Sequence, residues 1–222
     1  MAGIPIELQA LNVCAALLLL LSFAMLSQRR VVTMVNLLAT QGALLCAATL
    51  LLAWRTNDTH LYYSAGLTLG LKVVFLPWLL HRLIRRLDVY WDAEPVINQA
   101  GLMLLGLLVV VFAFGLAQPI SALANTATKS TIGIAIAVIL LAFLTMITRR
   151  KAMSQVIAFL SMENGLFFGA MSATRGMPMV VELGVALDVL VAMLVLGVFF
   201  FQIREQFDSL DLHHLESLKE HE

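Results

Sequence analysis

Charge is scarce in this sequence. Only 13% of its 222 residues are Asp, Glu, Lys or Arg, 61% are hydrophobic, and the mean hydropathy is +0.93. A soluble domain is about half apolar and about a quarter charged, so water is excluded as the main solvent for this surface. No polar segment is long enough to build an aqueous domain. The 14 basic and 14 acidic residues cancel, and the totals say nothing about nucleic acid. Cysteine is equally scarce: Cys14 and Cys46 both fall inside apolar runs. There is no C-x-x-C and no Cys/His cluster, so an iron–sulfur, nickel or zinc site lacks ligands. The histidines are His60, His81, His213, His214 and His221. None sits in the middle of an apolar run, where a b-type haem would need a pair. No cofactor is expected in this chain.

What the chain has is long apolar runs. A bilayer core takes roughly 20 apolar residues in a helix. Seven runs qualify: about Leu8–Leu26, Val32–Trp54, Leu61–Leu80, Ile97–Ala117, Thr131–Ile147, Ala152–Met171 and Met177–Phe201. Helix is the default for each, because every backbone group must be satisfied in lipid. The first run has no preceding Lys or Arg and no small-residue cleavage site, so it reads as a retained helix and not a signal peptide. The expected fold is all-α, an integral membrane bundle of about seven transmembrane helices.

Positive charge orients such a stack. Arg29 and Arg30 follow the first run, Arg82, Arg85 and Arg86 the third, Arg149, Arg150 and Lys151 the fifth, and Arg204 and Lys219 the last. The alternate loops hold only Arg55, Lys129 and Arg175. This alternation predicts the N-terminus outside and the C-terminus in the cytoplasm. It also predicts a 3+1+3 parallel repeat. Arg29-Arg30 and Arg149-Arg150 each end an outside-to-inside helix, and Gly70-Leu71-Lys72-Val73 echoes Ala186-Leu187-Asp188-Val189. Gly66-x-x-x-Gly70 is a pattern that lets two helices approach closely. After Phe201, Leu210, Leu212, Leu215 and Leu218 alternate with Asp208, Asp211, Glu216 and Glu220. That tail reads as a short amphipathic helix or a solvated end.

Four charges fall inside the apolar runs: Lys72, Glu163, Asp188 and Glu182. The first three lie near the middle of the third, sixth and seventh runs, and Glu182 lies about one turn inside the outer end of the seventh. Uncompensated at mid-bilayer, those three would together cost roughly 8–10 kcal/mol on insertion scales. They must therefore face other helices or water. Low dielectric disfavours the charged form of either kind of group, which favours the exchange of protons. The bland reading is a buried ion pair of Lys72 with an acid that only orders the bundle. The sharper reading is a proton relay through Glu163, Asp188 and Lys72, with Glu182 at its edge. Pro77, five residues after Lys72, removes a backbone donor and can bend the third helix near the lysine; the alternative is a proline simply tolerated in a membrane span.

These residues carry a resemblance. Ser161-Met162-Glu163-Asn164-Gly165 resembles the Met-Glu-Asn-Gly motif of the hydrogenase-4 membrane component E family. The Glu182-Leu183-Gly184-Val185-Ala186-Leu187-Asp188 run, Lys72-Val73-Val74-Phe75-Leu76-Pro77 and the ending Leu210-Asp211-Leu212-His213-His214-Leu215-Glu216-Ser217-Leu218-Lys219 are similar to segments of the same family. The last three helices resemble the K subunit of complex I and the C subunit of multi-subunit cation/proton antiporters. There Glu163 matches the first buried acid and Asp188 the second, with Asp shortening the reach. The resemblance implies three parts: a four-helix membrane part over 1–130, a K-subunit-like part over 131–203 and a cytoplasmic tail over 204–222. It implies a proton-translocating subunit of an energy-converting group 4 nickel–iron hydrogenase or formate hydrogenlyase-type complex. Such a complex would lie in a bacterial or archaeal cytoplasmic membrane. Antiporter-like membrane subunits would be its neighbours. The nickel–iron centre and iron–sulfur clusters would reside in soluble partner subunits. This chain would catalyse no redox chemistry by itself.

The same residues bear on other classes. A subunit of a cation/proton antiporter, or of a related redox complex lacking the hydrogenase site, is the runner-up. A free-standing transporter would show a polar, Gly/Pro-broken substrate site, and little here resembles one. A seven-helix retinal protein would need its Schiff-base lysine in the seventh helix, whereas Lys72 lies in the third run.

Overall fold

The computed structural model describes residues 6–56, 59–87, 98–122 and 129–174, and beyond them 184, 186, 187, 189–191, 193 and 197. The chain divides into two compact units, Met1–Ala186 and Leu187–Glu222. All the packing and site geometry given below lies within the first.

Helices account for nearly all of the described residues. They are α1 (Ile6–Ser27), α2 (Val31–Thr56), α3 (Thr59–Thr68), a π-helical segment (Leu69–Phe75), α4 (Leu76–Leu87), α5 (Gln99–Ala122), α6 (Lys129–Thr148) and α7 (Ala152–Thr174). Six stretches are long and apolar enough to cross a membrane. The shortest, Thr131–Thr148, has 18 residues, and the longest, Leu61–Arg86, has 26. At 1.5 Å per residue even the shortest extends about 27 Å, close to the hydrocarbon thickness. Six of the seven runs thus become helices. The seventh, Met177–Phe201, lies mostly outside the described residues, as does the tail from Arg204 onward.

The core gathers where α1, α2, α6 and α7 meet. Leu18 and Ala15 of α1, Leu45 and Ala48 of α2, Val138 of α6, and Phe168 and Met171 of α7 form one buried cluster, with Leu61 of α3 at its edge. A second cluster joins Leu26, Leu102 and Leu141. There α5 packs through Gly106, where an added Cβ would come 2.8 Å from Leu26 Cδ2. The opposite face of α5 displays Leu104, Leu107, Leu108, Val111 and Phe112. In water such a face would be untenable; in a membrane protein it meets lipid or another subunit. Gly66 and Gly70 are exposed on α3 and the π segment, with no described atom within 4 Å of an added Cβ. The Gly-x-x-x-Gly pattern therefore brings no described helix close within this chain.

The third span is not a plain α-helix. Its buried positions include Leu61, Ala65, Thr68, Lys72, Leu76, Leu80 and Ile84. From Thr68 onward these recur every four residues. In a straight α-helix four residues overshoot one turn by about 40°, so such a stripe would drift off the core. Between Thr68 and Leu76 the wider π winding takes up that drift; beyond it α4 buries Leu79, Leu80, Leu83 and Ile84 in ordinary three- and four-residue steps. Leu76 N–H donates to Leu71 O, five residues back, and Pro77 has no N–H with which to extend the tighter pattern. Where a bend or a plain tolerated proline was expected, the structure has a change of winding just ahead of Pro77, and that segment contains Lys72.

Candidate functional site: a buried lysine–glutamate pair

Lys72, on the π segment, and Glu163, on α7, are only 4% and 2% exposed. Lys72 Nζ donates to Glu163 Oε1 at 3.3 Å and to Asn164 Oδ1 at 3.1 Å. It also lies 5.5 Å from the centre of the Phe167 ring, within the range of a cation–π contact. Glu163, Asn164 and Phe167 lie within five residues, so one and a bit turns of α7 supply all three. A charge in such a place needs a partner and further hydrogen bonds to offset lost hydration, and this cluster provides both.

The polar contacts run on past the pair. Asn164 Nδ2 donates to Gln41 Oε1 at 3.5 Å, and Gln41 Nε2 donates to Ser22 Oγ at 3.0 Å. Ser22 Oγ donates to Leu18 O at 2.9 Å. The chain crosses from the π segment through α7 and α2 to α1, and every side chain in it is buried. Gly42, beside Gln41, makes room for it. An added Cβ there would lie 3.1 Å from Lys72 Cβ and 3.2 Å from its carbonyl oxygen. A side chain there would have to push back the backbone that carries the lysine by a few tenths of an ångström, so glycine favours this close approach of α2.

A second buried cation lies at one end of the bundle. Arg149, just after α6, is 3% exposed. Its Nη2 donates to Leu26 O at 2.9 Å and also to Gln28 O. It caps the last carbonyls of α1 with a positive charge, where the helix dipole favours one. Gln155 Nε2 bonds Arg149 O at 2.8 Å, and Gln99 Nε2 bonds Ser27 O at 3.1 Å. The end of α1 and the starts of α5 and α7 therefore meet at the end that carries the basic loops. Among the described residues, no three His, Cys, Asp or Glu side chains converge to hold a metal.

No family model and no solved structure matches the chain. Among known proteins, the uncharacterized protein Rv0085 of Mycobacterium tuberculosis is 37% identical over 204 residues, 91% of this chain and 93% of that protein. The chain belongs to the same family as that protein. Hydrogenase-4 component E of Escherichia coli (strain K12) is 26% identical over 186 residues, 84% of this chain and 81% of that protein. The Shigella flexneri component E matches to the same extent. The chain is thus a distant relative of hydrogenase-4 component E, and its helices make it a multi-pass membrane protein with bacterial relatives.

Of the four intramembrane charges picked out in this family member's sequence, the structure brings two together, Lys72 and Glu163. Asp188 and Glu182 lie outside the described residues. Sequence reasoning missed Gln41, Ser22 and Gly42, because one amide, one serine and one glycine in apolar helices carry no signal alone. Asn164 was visible only as part of the Met-Glu-Asn-Gly motif. Arg149 was counted as a loop charge, yet it is buried against α1.

Proposed function

We propose that this chain is a proton-translocating membrane subunit of an energy-converting complex of the hydrogenase-4 or formate hydrogenlyase kind. The observation that carries the reading is the Lys72–Glu163 pair, buried between two membrane spans at 3.3 Å and held by Asn164. A buried lysine–carboxylate pair can take up or release one proton by neutralising either partner, so a nearby charge can shift where the proton resides. The likeness to hydrogenase-4 component E supports placing that pair in a multi-subunit complex. In this reading Glu163 and Asp188 are the relay acids, Lys72 tunes and exchanges with Glu163, and Glu182 lies toward the outer surface. The chain has seven spans in a 3+1+3 repeat, with the N-terminus outside and the C-terminus in the cytoplasm. Residues 1–130, 131–203 and 204–222 are its three parts. Its neighbours are antiporter-like membrane subunits, and the metal centres belong to soluble partners.

The test is proton movement per turnover by the complex in liposomes. Glu163→Gln keeps size and hydrogen bonding but removes the titrating group; Asp188→Asn does the same. Both variants should assemble and keep redox activity with artificial acceptors, yet lose most coupled proton movement. Normal pumping by both would sink the relay.

A further inference from the structure

Helix α4 has two unlike faces. Leu76, Leu79, Leu80, Leu83 and Ile84 are buried against the bundle. Trp78, Arg82, Arg85 and Arg86 are exposed, and steps of three and four residues put them on one outward stripe. Val74 and Phe75, 59% and 37% exposed, lead into that stripe from the π segment. Along the span the exposed surface therefore passes from aliphatic to aromatic to basic within a few turns. The passage is continuous: the Trp78 ring lies 6.4 Å from the Phe75 ring, and the Arg82 guanidinium lies 5.4 Å from the centre of the Trp78 ring. Arg82 thus lies within cation–π range of Trp78.

Depth agrees with this order. Ten residues separate Lys72, near mid-span, from Arg82. They cover about 15 Å, half of a hydrocarbon core of about 30 Å. Arg82 then stands where the hydrocarbon ends, Trp78 just inside that boundary, and Arg85 and Arg86 just outside it. A tryptophan is favoured at that level, with its apolar ring toward the chains and a wet edge.

The positive charge here is concentrated and uncovered. Gly42 of α2 faces Lys72, and Cys46 of α2 donates to Ala65 O, so α2 runs antiparallel to the third span. The start of α2 is therefore level with the end of α4, and Arg29 and Arg30, both exposed, join the arginines of α4. Arg82, Arg85 and Arg86 form no ion pair with a carboxylate of the described residues. The acids that follow in sequence are Asp88, Asp92 and Glu94. They are fewer than the five arginines and leave this end positive. Arg149 makes the contrast, since it turns inward to cap α1.

We infer that the outer stripe of α4 is a binding site for an anionic phospholipid. Arg82, Arg85 and Arg86 hold its phosphate, and one acyl chain lies over Trp78, Phe75 and Val74. Guanidinium groups suit this role because their planar forks match phosphate oxygens. A soluble phosphate would use the arginines alone and leave the aromatic and aliphatic part of the stripe unused. A lipid uses the whole sequence of surfaces in order. The site is independent of the relay reading above.

The experiment uses the full chain reconstituted in phosphatidylcholine vesicles that contain a minor share of phosphatidylglycerol. Trp54→Phe and Trp91→Phe leave Trp78 as the only tryptophan. Bromine on the acyl chains of either lipid quenches a tryptophan in contact with it. Weighted by its share, brominated phosphatidylglycerol should quench Trp78 at least about fivefold more than brominated phosphatidylcholine, the enrichment that one arginine near an anionic surface confers. The control adds Trp78→Phe and Leu104→Trp. Leu104 is 64% exposed about a turn inside the same end of the bundle, on α5, which carries no basic residue. There the two lipids should quench according to their shares.

Arg82→Gln, Arg85→Gln and Arg86→Gln together should reduce Trp78 to the level of the Leu104→Trp control. Should that triple variant fail to fold, the contrast between Trp78 and Leu104→Trp in chains with their arginines intact decides. Share-proportional quenching of Trp78 overturns the inference. So does quenching by neither lipid, which would mean that protein covers the face. Release of brominated phosphatidylglycerol by excess inorganic phosphate would assign the arginines to a soluble anion and overturn the lipid site.

Discussion

The Cα of Gly42 faces the backbone of Lys72 so closely that a methyl group there would sit 3.2 Å from the Lys72 carbonyl oxygen. What it meets is main chain of the π segment, which cannot rotate aside as a flexible side chain would. Gly42→Ala should therefore push the π segment from α2 and loosen the Lys72 contacts, costing about 1–3 kcal/mol as overpacking does. Gly42→Leu should be worse. Thermal unfolding of the detergent-extracted complex measures this, and a Gly42→Leu variant as stable as wild type would show the space to be larger than it looks.

The Lys72–Glu163 pair makes a signed prediction about double substitution. Removing one partner of a buried pair leaves an uncompensated polar group, at a cost of about 3–5 kcal/mol. Lys72→Met and Glu163→Gln should each destabilise the complex by more than the Lys72→Met/Glu163→Gln double variant does beyond either single one. A double-mutant cycle on melting temperature reads the coupling directly. Strict additivity would mean that the two side chains do not interact.

Arg149 and Arg150 are neighbours with different surroundings. Arg149 is buried with its guanidinium on the last carbonyls of α1, while Arg150 is exposed. Arg149→Gln gives up charge-assisted hydrogen bonds and should cost about 1.5–3 kcal/mol. Arg150→Gln should leave stability within experimental error. Equal behaviour of the two variants in a melting assay would contradict the cap.

Orientation has its own check. Thr59 begins α3 and Arg85 lies near the end of α4, both exposed and at opposite ends of the third span. Cysteines at these positions should be labelled by an impermeant maleimide from opposite faces of the membrane, with Thr59→Cys outside. Labelling of both from one face would break the span, and labelling of Thr59→Cys from the cytoplasm would reverse the topology.

How much of this was legible beforehand depends on what each signal averages over. The first six spans were readable because about twenty residues vote on each one, and single polar residues cannot outvote them. Their ends were less so: α5 runs to Ala122 through Pro119, past the predicted end near Ala117. Lys72 and Glu163 were legible because an ionisable group at mid-span is conspicuous against its neighbours. That Lys72 could pair with an acid was legible, but not which acid, since a linear sequence does not say that the third and sixth spans touch. The π winding was not legible: Pro77 signalled a possible bend, and a proline in a span does not specify how the helix ahead of it is wound. Gly42 and Gln41 needed three dimensions, because their roles consist entirely of what stands opposite them. Arg149 misled for a related reason: loop arginines are counted as solvated, and nothing in the count distinguishes one that folds back onto a helix end.

The chain of side chains from Lys72 to Leu18 ends in an insulator. Every link donates in the same direction, through the Asn164 amide, the Gln41 amide and the Ser22 hydroxyl to a backbone carbonyl. Neither amide titrates in the physiological range, so neither can accept a proton at one end and release another at the far end. Fixed by its neighbours on both sides, each amide holds its orientation without becoming a conductor. A charge at Lys72 therefore gains a polarised wall toward α1 but no exit through it. A proton that arrives there does not leave through the α1 side.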